Sequence, residues 1–438
     1  MKHIRNQAYL ILVTTFICFP VIVQAQQVWT FDECIEYAVN HNIEIQHRIM
    51  QQQANKVNLQ ESSTARLPKV NAKLEQAFSF GQNISTGKQI NDDLSYTALK
   101  VNAAIPIFTG FRIPNQIKAD KLSLLAATER LELAKKDVRI QVAAAYLQVL
   151  YYKGRAQIAQ KQVDVSTSLV DKAKSLVDDG KRPESELAEA EAQLSSDDYV
   201  LTEAKGNVTL ARLNLSQLLN LPDMDNFDVA GLDTVSFLLA NDIDARVLYD
   251  DVVESYPSIV ASKYLLESAR YGIKVARSGY YPELSLQALY ANYYCKPFNR
   301  SVDGLGKQLH NNDNMAIGLS LAIPIFNGLS TRNAIRKAKV VKMDAEISLN
   351  DSRQVLRKEI QQAYYNAIIA RDRYVAACKA ETSNGISFNY EQESYLSERA
   401  TLFDLSQSRQ KWFTAQEDAL QAKYEYLIRM KILDFYKN

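Results

Sequence analysis

The sequence predicts an α+β chain made of two copies of one unit, each a pair of strands followed by a very long helix. Three observations predict it. The pentapeptide Ala104-Ile105-Pro106-Ile107-Phe108 returns as Ala322-Ile323-Pro324-Ile325-Phe326, an offset of 218 residues. Glycine and proline are scarce, 14 and 10 among 438 residues, and stretches without breakers favour long helices. The segments around each pentapeptide alternate apolar and polar residues with the period of a strand.

The repeat extends well beyond the pentapeptide. At the same offset Gly110 meets Gly328, Asn115 meets Asn333, Ala145-Tyr146 meets Ala363-Tyr364, and Leu187 meets Leu405. A fixed offset held over about 85 residues marks a duplicated structural unit. Upstream the offset falls to 214, aligning Leu67-Pro68 with Tyr281-Pro282. The difference lies between Pro68 and Ala104. Insertions collect in exposed loops, so a longer hairpin loop is expected in the second copy.

Taken in order, residues 1–25 read as a secretory signal. Lys2, His3 and Arg5 precede the apolar run Tyr9 to Val23, and Ala25 closes a small-residue cleavage site. The run is too short for the ~18–20 residues of a spanning helix. The first repeat occupies 26–220, an irregular acidic inter-repeat segment 221–246, and the second repeat 247–438. Each repeat opens with a helix, Ile43 to Arg66 or Ser258 to Ser278. Two strands follow: Val70 to Phe80 with Leu94 to Phe108, and Leu284 to Tyr294 with Met315 to Phe326. Val101, Ala103, Ile105 and Ile107 carry the period-two pattern. Phe78, Phe80, Tyr96, Phe108, Tyr290, Tyr293, Tyr294 and Phe326 place aromatics at strand ends, where a membrane interface would hold them.

The long helix of the first copy runs from Ile113 to about Val177. With only Gly154 and Pro114 as breakers between Gly110 and Gly180, it would reach about 100 Å at 1.5 Å per residue. Leu131, Ala134, Val138, Val142, Ala145, Val149 and Tyr152 recur at threes and fours. Leu349, Ser352, Leu356, Ile360, Ala363, Ala367 and Ala370 repeat the stripe. It predicts a coiled-coil-like seam with close helix approach. Breaks at 180–183 and 397–400 turn the chain into return helices, Ser185 to Leu219 and Thr401 to Leu433.

Composition excludes several classes. A net charge of +1 gives no field for nucleic acid. Cys34, Cys295 and Cys378 are widely spaced and odd in number, so neither a disulfide framework nor a CxxC metal site is expected. His41 and His47 are six apart, poor spacing for shared ligation on one helix face. P-loop, GxSxG and HExxH motifs are all lacking. Catalytic, cofactor and metal sites are therefore expected to be absent.

Four strands leave open edges, which cost several kcal/mol per unpaired backbone group in lipid. They also cannot close a barrel with a useful lumen. Three copies supply twelve strands, an even number suited to an outer-membrane barrel. The expected assembly is a homotrimer with four strands per chain, contacting outer-membrane lipid and continued by long antiparallel helices.

The chain resembles the outer-membrane efflux protein family, the TolC-like outer membrane factors. The resemblance covers essentially the whole mature chain. It is carried by Ala38 to Ile45, by the helix-to-strand junctions at Ala65 to Pro68 and Ala276 to Pro282, by the strand-to-helix junctions at Pro106 to Gly110 and Pro324 to Gly328, and by Thr401-Leu402-Phe403-Asp404-Leu405. The resemblance implies a trimeric 12-stranded outer-membrane β-barrel continued by a periplasmic α-helical tunnel, with 221–246 as an equatorial segment. It implies a passive exit duct for an efflux pump or type I secretion, docked on a periplasmic adaptor and an inner-membrane transporter. It also implies a gate at the helix tips. Asp404 matches the first aspartate of the family's inner constriction, whereas Gln407 stands where a second would be. Ala400 replaces a basic residue, with Arg399 beside it. Ser185 and Glu186 match the hydroxyl and acidic positions of the first hairpin, and Glu398 stands where the first copy has Gly180. Two other readings stay open here: a periplasmic adaptor or coiled-coil scaffold, and a secreted enzyme on a helical stalk.

Overall fold

The computed structural model of the chain describes residues 27–85, 88–91, 93–222, 227–232, 244–299 and 301–437. The expected signal segment 1–25 and much of 221–246 lie outside them. Short strand β1 (Gln27–Trp29) leads into α1 (Phe31–His41) and α2 (Ile43–Thr64). Strand β2 (Lys69–Ser79), the small hairpin β3 (Gln82–Ser85) and β4 (Lys88–Asn91), and β5 (Leu94–Thr109) follow. Then come α3 (Arg112–Asp178), α4 (Glu184–Leu219) and β6 (Phe227–Val229). The second copy comprises α5 (Ala245–Val252), α6 (Pro257–Arg277), β7 (Glu283–Pro297), α7 (Leu305–Asn311), β8 (Asp313–Ala322), α8 (Ser330–Leu396) and α9 (Leu402–Lys437).

The helices keep the repeat to the residue. Helices α3 and α8 both have 67 residues, α4 and α9 both have 36, and every boundary differs by 218. On the stripe, Val138, Val142, Val149, Leu356, Ile360 and Ala370 are buried, while Ala145, Tyr152 and Ser352 are half-buried.

The chain packs as two compact units. One holds residues 46–134 and 249–359. Its core is a four-stranded antiparallel sheet in the order β2-β5-β7-β8. Three expectations need correction here. The second copy's last strand stops at Ala322 rather than Phe326. Ala322 pairs with Glu283, the first residue of β7, and residues 323–326 lie past the end of that strand. In the first copy β5 continues to Thr109 because β7 still accompanies it. The additional residues of the second copy lie mainly in β7, 15 residues against 11 in β2. The loops, 80–93 and 298–312, differ by a single residue. Tyr290 falls at the middle of β7, not at an end.

The longer β7 outruns its neighbour β8, and a side chain covers the overhang. Gln308 of α7 accepts from the Cys295 amide at 2.9 Å and donates to the Cys295 carbonyl at 3.0 Å. Asn312 donates to the Tyr293 carbonyl at 2.7 Å. These carboxamides stand in for the missing strand at the Cys295 amide and carbonyl and the Tyr293 carbonyl.

The other unit holds residues up to 45, 135–248 and 360–438. Here the irregular segment contains a strand not read from the sequence. Strand β6 pairs in parallel with β1, Gln27 opposite Phe227 and Trp29 opposite Val229. Buried Tyr146 of α3 donates to the Ala230 carbonyl at 2.7 Å. Lys153, two turns on, donates to the Val229 carbonyl at 2.9 Å and pairs with Asp228 at 2.6 Å. Two three-residue strands cannot hold a sheet alone, and α3 supplies the anchoring.

Candidate functional site

The sheet has two chemically opposite faces, which follow from the period-two pattern. Across the strands, Val70 pairs with Ala103, Ala103 with Ala288, and Ala288 with Ile317. The next row runs Ala72, Val101, Tyr290, Met315, and another runs Ile105, Leu286, Leu319. This face is apolar and open: Leu74 is 71% exposed and Leu319 68%. An apolar surface of this extent marks contact with lipid or another protein. The reverse face is polar, with Asn71 opposite Asn102 and Lys73 opposite Lys100. Glu75 forms ion pairs with both lysines, to Lys100 at 3.4 Å. Apolar outside and polar inside is the pattern of a strand that separates lipid from a lumen. Aromatics gather at both ends. Phe80 stacks on Phe298 at 6.5 Å, and Phe108, Phe111 and Tyr281 form an edge-to-face chain at 5.1 and 6.2 Å.

The strand-to-helix junctions share one backbone solution. Gly110 and Phe111 have φ of 59° and 65°, and Gly328 and Leu329 have 62° and 66°. Two successive left-handed residues reverse the chain from strand into helix. Pro106, which has no amide to donate, sits at a register shift in β5, where Ile107 is the additional residue of a bulge. Pro68 and Pro282 each immediately precede a strand, while Pro324 follows the end of β8. The junction after α6 is tightly seated. Gly110 lies against Ser278 and Tyr281, and the Thr331 hydroxyl donates to the Gly279 carbonyl at 3.3 Å.

At the far end of the long helices the structure brings Glu186 and Glu398 together with residues of the opposite hairpin. The Tyr395 hydroxyl donates to Glu186 Oε1 at 3.1 Å, and Arg182 lies 3.7 Å from Glu186 Oε2. Burial and the hydrogen bond to Glu186 push the Tyr395 phenol up to about 12. Lys181 stands 3.9 Å from Glu398, both exposed, so this pair contributes little. Beneath these contacts Leu169, Ala173, Ala190, Phe388, Tyr395, Leu402 and Leu405 form a buried cluster. Asp404 is exposed, and its carboxylate is engaged. It accepts from the Thr401 hydroxyl at 2.6 Å and the Thr401 amide at 3.3 Å, while the Asp404 amide donates to Thr401 Oγ1 at 3.2 Å. That is a capping box at the start of α9. Gln407, Arg399 and Ser185 are exposed. Tyr395, the partner that joins the hairpins, was not singled out in the sequence. The glutamate it binds lies 209 residues away, and such a pairing has no local signal.

A sheet with one lipid-compatible face, aromatic ends and helices of about 100 Å defines an outer-membrane channel subunit. A model of the outer membrane efflux protein family matches residues 34–221 and 248–435, and the chain belongs to that family. The outer membrane efflux protein BepC of Brucella suis biovar 1 is 24% identical over 354 residues, covering 79% of this chain and 73% of that protein. TolC of Vibrio cholerae is 20% identical over 372 residues, covering 84% and 81%. The crystal structure of VceC from Vibrio cholerae matches with a TM-score of 0.77 at 14% identity, over 93% of this chain and 96% of that one. The Campylobacter jejuni CmeC channel matches at 0.74 and 19% identity, over 93% and 85%. The chain is an outer-membrane exit duct of the efflux and secretion class, with a periplasmic helical portion. The family is one of transport channels rather than of enzymes, and the adaptor and scaffold reading falls away.

Proposed function

We propose that three copies of this chain close a 12-stranded barrel and that their helices form one periplasmic conduit. The observation that carries this reading is the four-stranded sheet, apolar on one face, whose outer strands β2 and β8 each have a single partner among the described residues. Head-to-tail pairing of β8 with β2 of the next copy satisfies both edges and leaves the apolar face to lipid. The test is a cysteine scan along both edges of the full chain in membranes, Asn71→Cys against Asn314→Cys, Ala316→Cys, Gly318→Cys and Ser320→Cys. Disulfide-linked dimers and trimers at one register support closure. Monomers at every register refute it.

The helix tips are the entrance. Ser185, Glu186, Glu398, Arg399, Asp404 and Gln407 would each recur three times around the axis, and inward carboxylates would favour cations. Asp404→Ala should lower cation preference in planar-bilayer recordings; unchanged selectivity and conductance would sink that role. A periplasmic adaptor bound to an inner-membrane transporter would dock between the hairpins near 180–186 and 398–402. Photo-crosslinkers there should capture an adaptor that a mid-helix control does not. The absence of a tip-specific product counts against docking at this site.

A further inference from the structure

At the end of the sheet nearest the long helices, the first copy leaves an open groove of about 530 Å³ between the end of α2, the end of β5 and the start of α3. Ile107, Phe108, Phe111 and Ile117 give it an apolar lining, which the exposed cations Arg66 and Lys118 complete. The groove continues the apolar face of the sheet. Phe108 lies opposite Leu284, and Leu284 opposite Leu321, the next row after Ile105, Leu286 and Leu319. An uninterrupted strand would have set Phe108 on the polar side, and the additional residue Ile107 turns it to the apolar one.

The two cations have no acidic partner. Arg66 Nε donates to the Ser63 carbonyl at 3.1 Å. Lys118 lies 5.6 Å from the Tyr271 ring centre, and Lys274 stands over the same ring at 4.4 Å. Among the described residues neither Arg66 nor Lys118 forms an ion pair. The repeat does not demand the groove either. At the corresponding place of the second copy Tyr280 replaces Arg66 and Thr331 replaces Ile113. Thr331 is buried against Gly279, where an added Cβ would stand 2.7 Å from its hydroxyl. Ala65, the counterpart of Gly279, carries that Cβ, so the same close packing is denied to the first copy and a space is left.

We propose that this groove binds an anionic phospholipid of the periplasmic leaflet, with the phosphate between Arg66 and Lys118 and an acyl chain against Phe108, Phe111 and Ile117. The proposal deepens the reading of the sheet as a lipid-facing wall and rests on it. The strands end in the outer membrane and the helices continue into the periplasm, so this junction stands at the headgroup depth of that leaflet. Aromatic side chains favour that depth. A phosphodiester supplies the negative charge that the two cations lack. Each cation favours an anionic over a zwitterionic lipid about fivefold, so the pair favours it about twenty-five-fold.

The test is tryptophan quenching in the full-length protein reconstituted into vesicles. One tryptophan is added in the groove, Ile117→Trp, or on the open apolar face, Leu74→Trp, and the emission of Trp29 and Trp412 is subtracted as a common background. Brominated phosphatidylglycerol, a minor component in phosphatidylcholine, is compared with the same fraction of brominated phosphatidylcholine. The Ile117→Trp emission should be quenched several-fold more by the brominated phosphatidylglycerol, and Arg66→Gln/Lys118→Gln should abolish the preference. Leu74→Trp should be quenched equally by both. Equal quenching at Ile117→Trp overturns the site, and so does none, the result if a neighbouring copy covers the groove. Quenching at Leu74→Trp alone condemns only the groove, whereas its loss there as well refutes the lipid-facing wall. A second measurement needs no added tryptophan. Wild-type protein extracted from the same mixed vesicles in mild detergent should retain phosphatidylglycerol by mass spectrometry, and Arg66→Gln/Lys118→Gln should lose it. Wild type without that lipid, or equal amounts in the two proteins, also overturns the proposal.

Discussion

Gly110 and Gly328 occupy equivalent junctions with nearly the same backbone, yet their surroundings differ, which makes Gly110→Ala a sharp test of the packing. A methyl group at Gly110 would stand 2.7 Å from the Ser278 carbonyl oxygen and 2.8 Å from Tyr281 Cβ. Neither atom is the free end of a side chain, so the junction itself must shift. The left-handed backbone costs a residue with a Cβ about 1–2 kcal/mol. Forcing a methyl into a filled site adds about 1–3 kcal/mol. The expected loss is therefore roughly 2–5 kcal/mol. At Gly328 an added methyl meets nothing within 4 Å among the described residues beyond its chain neighbours, so Gly328→Ala bears only the backbone cost. Urea unfolding of the protein in detergent, followed by near-ultraviolet circular dichroism of the Phe108, Phe111 and Tyr281 cluster, gives both values. If Gly328→Ala loses as much as Gly110→Ala, the steric reasoning is wrong.

Glu398 takes φ of 59° where its first-copy counterpart Gly180 takes 70°, so Glu398→Gly should raise stability by about 1 kcal/mol; a lower urea midpoint would mean that the Lys181 contact outweighs the strain. Thr401→Ala removes the capping box of α9 and should cost about 1 kcal/mol, with faster amide exchange confined to its first turn, while Thr401→Ser should restore protection. Burial raises the Asp228 carboxyl, but hydrogen bonds from Lys153 and the Val229 amide outweigh it and hold the group below its usual range. Because the folded value is depressed, this stabilisation is present above about pH 4, the unfolded range, and is lost as pH falls through the folded value. Trp29 emission should report that loss, and a profile unaltered by Asp228→Asn would refute it. Cys34 is fully buried and its thiol is pushed up to about 12, so maleimide at pH 8 should label it only after unfolding.

Much of this fold is legible because the repeat is covalent information. The offset carried by Ala104 to Phe108 fixes α8 and α9 once α3 and α4 are recognised, and the alternation at Val101 to Ile107 identifies a two-faced strand. The same reliance on the repeat misleads at Ile323 to Phe326. Equivalent residues have equivalent propensities but not equivalent neighbours, and a strand extends only as far as its partner. The pairing of β1 with β6 was not legible, because three residues show no period and the anchoring side chains come from α3. At the tips, Thr401-Leu402-Phe403-Asp404 did carry a local signal: a hydroxyl residue followed three places later by a carboxylate caps a helix. Tyr395 with Glu186 has no such signal. The two lie on separate helices, and only packing brings them together.

The two outer strands of the sheet also bear on inheritance. If β8 of one copy must meet β2 of the next, each joint draws its halves from different polypeptides, and a ring of three has three joints. A chain altered only along β8, but sound along β2, would still be admitted to the ring and would leave one seam open. In a cell making equal amounts of altered and normal chain, only about one assembly in eight would contain normal copies alone. Damage confined to that strand should therefore be dominant. Damage that prevents the chain from folding should be recessive, because such a chain never reaches a joint.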